Sequence, residues 1–126
     1  MNKGLTILAV DDDIINLKLI NSMLKKHTDI KTVIEATDGL NALNIVKETE
    51  NINLILLDIK MPVMDGIEFM ENIALLPKKN SIPIIVLTTD ETKKHQSFDS
   101  GAFDFLVKPI REHELYEKIL KIKNLL

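Results

Sequence analysis

Short, nearly unbroken apolar blocks alternate along this chain with stripes of apolar residues at helical spacing. The block Leu54-Ile55-Leu56-Leu57 runs straight into Asp58, with Met61-Pro62 just beyond. A run that short, apolar on both faces, suits a central parallel strand covered by helices on both sides, which places Asp58 at the carboxyl edge of a sheet. A second block, Leu5-Thr6-Ile7-Leu8-Ala9-Val10, is broken abruptly by Asp11-Asp12-Asp13. Leu17, Ile20 and Leu24 then recur at helical spacing, and Asn16, Lys18, Asn21 and Lys25 occupy the other faces. Thr32-Val33-Ile34-Glu35-Ala36 is shorter and more polar, as an edge strand would be, and Asp38-Gly39 opens a second helix with Leu43 and Val46 facing inward.

After Asp58, Asp65 precedes Glu68 by three residues, the spacing of a capping box, and predicts a third helix to about Leu76 with Ile67, Met70 and Ile73 or Ala74 inward. Ile82-Pro83-Ile84-Ile85-Val86-Leu87 reads as a fourth strand that runs out at Thr88-Thr89-Asp90. The segment from Glu91 to Ser100 has helix-forming residues but only Phe98 as a sizeable apolar anchor, which predicts a loosely held helix. Phe105-Leu106-Val107 makes a fifth strand ending at Lys108-Pro109, and Leu115, Ile119, Ile122 and Leu126 stripe a final amphipathic helix. Five strands alternating with five helices imply a parallel sheet with right-handed crossovers, a doubly wound α/β three-layer sandwich.

Four of those strands end in polar groups: Asp11 and Asp12, Asp58, Thr88 and Thr89, and Lys108. Strand ends of a parallel sheet all point one way, so these groups converge at one edge, where ligands of open α/β sheets bind. The totals narrow what that edge can do. With 126 residues there is room for one domain, 1–126, and no output domain. A net charge of −3 with scattered basic residues leaves no footprint for nucleic acid. The lack of cysteine excludes thiolate catalysis and thiolate metal sites. Met1-Asn2-Lys3-Gly4 leads directly into the first strand and no apolar run is long enough to span a membrane, so the expectation is a soluble, untargeted, cytoplasmic chain.

Three carboxylates brought together repel, a pair about 4 Å apart by roughly 4 kcal/mol at an effective dielectric near 20. Lys108 supplies one balancing charge and a divalent cation would supply two more; the alternative is that one carboxylate stays protonated. All-oxygen ligands select a hard ion, and the expectation is Mg²⁺ completed by waters. An Asp beside Mg²⁺, a lysine and a threonine hydroxyl is a parts list for phosphoryl transfer, with a carboxylate nucleophile that needs no general base.

Val10-Asp11-Asp12, Leu57-Asp58 with Met61-Pro62 and Asp65-Gly66, Val86-Leu87-Thr88, Gly101-Ala102 and Val107-Lys108-Pro109, in that order over essentially the whole chain, closely resemble the receiver domain of bacterial two-component response regulators, in the short chemotaxis-regulator-like form. The resemblance implies a flavodoxin-like (βα)5 fold with sheet order 2-1-3-4-5. It implies that Asp58 accepts a phosphoryl group from a phosphohistidine on a sensor histidine kinase or phosphotransfer protein. By the same resemblance Asp12 ligates Mg²⁺ directly, Asp11 does so through water, and the Lys60 backbone carbonyl completes the protein's share. Thr88 would bond one phosphoryl oxygen and Lys108 pair with another, and Pro109 would follow a cis bond. Phe105 aligns with an aromatic switch whose ring rotates inward as Thr88 moves, changing the surface of the fourth helix, fifth strand and fifth helix for a downstream partner. The implied state is a monomer or a weak, phosphorylation-dependent dimer that catalyses only its own phosphorylation and dephosphorylation.

Departures from the commonest pattern are Phe105, which lacks a tyrosine hydroxyl, and Thr89, bulkier than the side chain frequent there. Lys60 and Asp90, which would flank the mouth, either pair or stand solvated. Asp13 reads as the first helix's N-cap rather than a ligand, and His27, His95 and His113 as surface histidines. Met23, Met61, Met64 and Met70 read as fillers, and Lys118, Lys121 and Lys123 as a solvated face that in related domains can bind a partner. Ile14 and Ile15 are either core or a docking point for a kinase helix bundle. Two other functions fit the same residues: a Mg²⁺-dependent phosphohydrolase, disfavoured because Lys60 stands where such enzymes use a second acid, and a docking pseudo-receiver.

Overall fold

A computed structural model describes residues 4–126; the untargeted start read from residues 1–3 lies outside the described residues. Five parallel strands, β1 (Leu5–Val10), β2 (Ile30–Ala36), β3 (Leu54–Leu57), β4 (Ile84–Thr88) and β5 (Asp104–Val107), form one sheet in the order β2-β1-β3-β4-β5. Between and after them come α1 (Ile14–Lys25), α2 (Gly39–Glu48), α3 (Gly66–Ile73), α4 (Lys94–Asp99) and α5 (Glu112–Lys123). Short 3-10 turns stand at Lys79–Ser81 and Glu91–Lys93.

Alternation along the strands divides the core in two. Leu5, Ile7, Ala9, Leu54, Leu56, Ile85 and Leu87 face α1 and α5, whose Leu17, Ile20, Leu24, Leu115, Ile119 and Ile122 are buried against them. Leu8, Val10, Ile55, Leu57, Ile84, Val86 and Phe105 face α2 and α3, which contribute Ala42, Leu43, Val46, Phe69, Met70 and Ile73. The central strands are therefore apolar on both faces because both faces are covered. Asp13, Asp38 and Asp65 cap α1, α2 and α3, and Asp65 with Glu68 completes a capping box.

Several sequence expectations shift. The buried stripe of α3 is Gly66, Phe69, Met70 and Ile73, with Ile67 only half-buried, Ala74 exposed, and the helix ending at Ile73 rather than Leu76. Its rotation is fixed by Gly66, which lies so close to the sheet that a Cβ there would sit 2.4 Å from Asp58 O. Phe98 does not anchor α4, being 40% exposed; the buried residue is Ser97, whose hydroxyl donates to Lys93 O. Leu126 is exposed, beyond the end of α5. His27 is no simple surface histidine: its ring stacks on Tyr116 with centroids 3.6 Å apart, and Nε2 lies 3.2 Å from Glu112 Oε2. Tyr116 OH and Lys123 Nζ in turn donate to Asp29, whose carboxyl is held below its usual range by Lys123 first and Tyr116 second. His95 and His113 are exposed.

The two candidate stripes on α3 differ in what truncation removes. Phe69→Ala is expected to cost about 3–5 kcal/mol and Ile67→Ala about 1 kcal/mol in urea unfolding at neutral pH; equal losses would put Ile67 back in the core.

Candidate functional site

The last hydrogen bonds of the sheet carry the polar groups to a common edge. Asp11 N–H donates to Ala36 O, Asp58 N–H to Val10 O and Lys108 N–H to Thr88 O, at 3.1, 3.0 and 2.8 Å. Each backbone position is thus registered against the neighbouring strand one residue past the apolar ladder. Side chains from residues 97 and 50 positions apart then meet: Lys108 Nζ donates to Asp11 Oδ2 at 2.7 Å and to Asp58 Oδ2 at 3.3 Å. The Lys108–Pro109 peptide bond is cis.

The remaining carboxylate oxygens are occupied unequally. Asp11 Oδ1 accepts Asp13 N–H at 2.9 Å, and Asp58 Oδ1 accepts Ile59 N–H at 2.7 Å. Asp12 is exposed and has no hydrogen-bond partner among the described residues. One oxygen each from Asp11, Asp12 and Asp58 lie within 4.8 Å of one another. Three hard oxygen donors around one point, with two of the acids buried, fit a small divalent cation better than any softer metal. Lys60 is exposed two residues beyond Asp58, on the loop whose carbonyl was expected to join them.

Burial raises the Asp58 carboxyl above its ordinary range; Lys108 pulls it down and the charge of Asp11 pushes it up again. Burial alone would depress the Lys108 ammonium, but its hydrogen bond to Asp11 and the charges of both acids outweigh that and hold it protonated above its usual value. The lysine is thereby kept as a fixed cation between two acids of which one resists ionisation.

Thr88 is buried, and its Oγ1 accepts Asp90 N–H at 3.3 Å. The Asp90 carboxylate caps the 3-10 turn, accepting Thr92 N–H at 3.0 Å as well as the Thr92 hydroxyl. Asp90 is held below the usual carboxylate range by those Thr92 bonds first, with Lys60 only a distant charge, so no ion pair closes the site between them. Phe105 is 7% exposed, its ring already within the α2–α3 side of the core. Thr89 follows Thr88 at the end of β4 and is exposed. The Ile59 amide and the Thr88–Asp90 bond were not legible in the sequence, because a backbone donor carries no residue-type signal.

With this geometry in place, comparison with known proteins decides the family. The family model described as "Response regulator receiver domain" matches residues 7–120. This chain belongs to the response regulator receiver domain family. A curated relative, the cyclic di-GMP phosphodiesterase response regulator RpfG of Xanthomonas campestris pv. campestris (strain 8004), is 38% identical over 114 residues, which are 89% of this chain and 30% of that protein. The chain spans only part of the curated relatives it matches. Among solved structures, the receiver domain of sensor histidine kinase PA1611 from Pseudomonas aeruginosa PAO1, with a magnesium ion coordinated in its active site cleft, has TM-score 0.84 at 28% identity over 94% of this chain and 96% of that one. The receiver domain of Ssk1 from Saccharomyces cerevisiae, co-crystallised with the histidine phosphotransfer protein Ypd1, has TM-score 0.84 at 32% identity over 96% of this chain and 90% of that chain. As a receiver domain, the chain is a phosphoacceptor module of two-component signalling.

A carboxyl whose affinity for protons is raised on folding binds them more tightly in the native receiver than in the unfolded chain. Stability therefore falls as pH rises from the ordinary carboxylate range through the raised native value of Asp58. Asp58→Asn removes that burden and is expected to stabilise the Mg²⁺-free domain by about 1 kcal/mol at pH 7, with the gain vanishing at pH 3, in parallel urea titrations. Loss of stability at pH 7 would mean that the ionised carboxylate is a net favourable partner of Lys108.

Proposed function

We propose that Asp58 is the residue phosphorylated, that Asp12 and, through water, Asp11 hold Mg²⁺ with Asp58 and the Lys60 carbonyl, and that Lys108 and Thr88 receive the phosphoryl oxygens. The observation that carries this is the Lys108 ammonium in reach of both Asp11 and Asp58 at a shared strand edge. When bound, the ion neutralises charge on the transferring phosphoryl oxygens. An Asp58 oxygen attacks phosphorus, the P–N bond of the donor phosphohistidine breaks, and the electron pair leaves on the imidazole nitrogen, which takes up a proton from water. Lys108 is already charged and placed, so it moves from one anion to another without a change of protonation. In this reading the chain acts only on its own aspartate.

The Thr88 hydroxyl accepts a bond from Asp90 and keeps its own proton to donate. Drawing it towards a phosphoryl oxygen pulls on the amide that begins the 3-10 turn before α4, a helix anchored mainly by Ser97. Phe105 is already inward without a phosphoryl group, so the switch is a shift in the population of existing packings. The output is the face of α4, β5 and α5, read by a downstream protein. The donor is a histidine kinase or a phosphotransfer protein, in line with the Ypd1 complex of the Ssk1 receiver. Its helices would meet Ile14, Ile15 and Leu19, which are 58, 76 and 51% exposed on α1 beside the acids. A cytoplasmic setting suits such partners, and no helix among the described residues is long and apolar enough to cross a membrane. The phosphohydrolase reading is weaker because exposed Lys60 offers no second acid for a leaving group.

Incubation with Mg²⁺ and acetyl phosphate is expected to add one phosphoryl group in intact-mass spectra. Asp58→Asn should add none, and Thr88→Ala should accept the group but shift the amide signals of α4 far less. An Asp58→Asn protein that still gained the group would move the phosphoacceptor elsewhere.

A further inference from the structure

We propose that Gly39, the first residue of α2, is a positioning residue for the cation site: it lets α2 close on the loop between β3 and α3 and so fixes the backbone that presents the Lys60 carbonyl. The inference rests on the Mg²⁺ reading above.

Gly39 is buried, and its N–H donates to Met64 O at 3.1 Å. A Cβ there would stand 2.3 Å from that same oxygen and 2.9 Å from Met64 Cβ and Cγ. At the other end of the loop Gly66 N–H donates to Ile59 O at 2.8 Å, and a Cβ would meet Asp58 O at 2.4 Å and Ile59 Cα at 2.9 Å. Neither glycine has positive φ, so close approach rather than backbone freedom is what requires the missing side chain. The same dipeptide does this twice: Asp38 and Asp65 cap their helices while Gly39 and Gly66 press the helix starts onto one loop.

That loop does not rest in a relaxed shape. Val63 has φ +69°, and Met64 N–H closes onto Pro62 O at 2.7 Å across it. A β-branched residue in the left-handed region is strained, and such a turn persists only where its surroundings hold it. Gly66 holds the loop where it leaves Asp58, and Gly39 holds it one residue past Val63. Lys60 lies between the two holds. The contacts of Gly39 are with Met64, so its effect reaches the ion through where the carbonyl stands.

Mg²⁺ demands near-octahedral ligands at about 2.1 Å, whereas Ca²⁺ accepts longer and more irregular contacts. Displacing one carbonyl should therefore harm Mg²⁺ binding more than Ca²⁺ binding, which a general loss of stability would not do. The test is titration of the full chain with MgCl₂ and, separately, CaCl₂, followed by amide NMR shifts, on wild type, Gly39→Ala and Val46→Ala. Val46 is buried in the same helix and serves as the destabilised control. Gly39→Ala is expected to lose roughly tenfold in Mg²⁺ affinity and distinctly less in Ca²⁺ affinity, while Val46→Ala keeps the wild-type ratio. An unchanged ratio in Gly39→Ala overturns the proposal. Should that variant not fold, hydrogen exchange on the wild type decides: Mg²⁺ slows exchange of the Gly39 amide if the clamp and the ion share the loop, and an unchanged rate overturns the proposal. A wild type that binds Ca²⁺ and Mg²⁺ not at all overturns the Mg²⁺ reading as well, an outcome distinct from failure of Gly39→Ala alone.

Discussion

One ammonium group among three carboxylates is the constraint on which this receiver domain is built. Lys108 reaches Asp11 and Asp58 because β5 and β3 flank β4 in the sheet and each strand's last backbone bond fixes the next residue. A single positive charge does not neutralise three acids, and burial first, with the charge of Asp11 adding to it against the pull of Lys108, raises the proton affinity of Asp58. In the proposed function, that unbalanced charge is what a dication and a phosphoryl group would act upon. The domain is held in a state whose electrostatics would improve with a cation, and whose lysine, already on two carboxylates, would exchange one of them for a phosphoryl oxygen.

The proposed coupling from the acids to a distant face needs a mechanical link, and the β4–α4 connection would supply one. Thr88 is fully buried and bonded to the Asp90 amide, Asp90 is committed to capping the next turn, and α4 has six residues with Ser97 as its buried one. Few buried apolar contacts make this the segment with least to lose on moving. The other side of the molecule is tied down: His27 on Tyr116, with Glu112, Asp29 and Lys123, fastens the end of α1 and the start of β2 to α5. The proposed switch would be confined to one face by that contrast.

The strands and the strand-end acids were legible because burial on both faces leaves an apolar block that stops sharply at a carboxylate, whereas the sheet order came only with the family resemblance. Leu54 to Leu57 before Asp58 shows such a block best. The caps at Asp13, Asp38 and Asp65 were legible because capping is local. What sequence could not give was helix rotation. Ile67 and Phe69 are both apolar and two positions apart, and only the contact of Gly66 with the Asp58 backbone selects Phe69. Phe98 looked like an anchor by residue type alone, but a six-residue helix bonded through Ser97 turns it outward. Whether Lys60 pairs with Asp90 or stands solvated was left open by the sequence, and a local contact decides it: Thr92, two residues on, offers Asp90 a pair of donors.

Remote strand ends deliver three carboxylates and one ammonium to a common edge, the pocket proposed for Mg²⁺ and a phosphoryl group. The most direct measurement is a crystal structure of the chain grown with MgCl₂ and beryllium trifluoride, a phosphoryl analogue. The account predicts the analogue on an Asp58 oxygen, Mg²⁺ against Asp12 and the Lys60 carbonyl, and Lys108 Nζ moved from Asp11 to a fluoride. An analogue bound elsewhere, or Lys108 still on Asp11 with no ion among residues 11, 12 and 58, would contradict it.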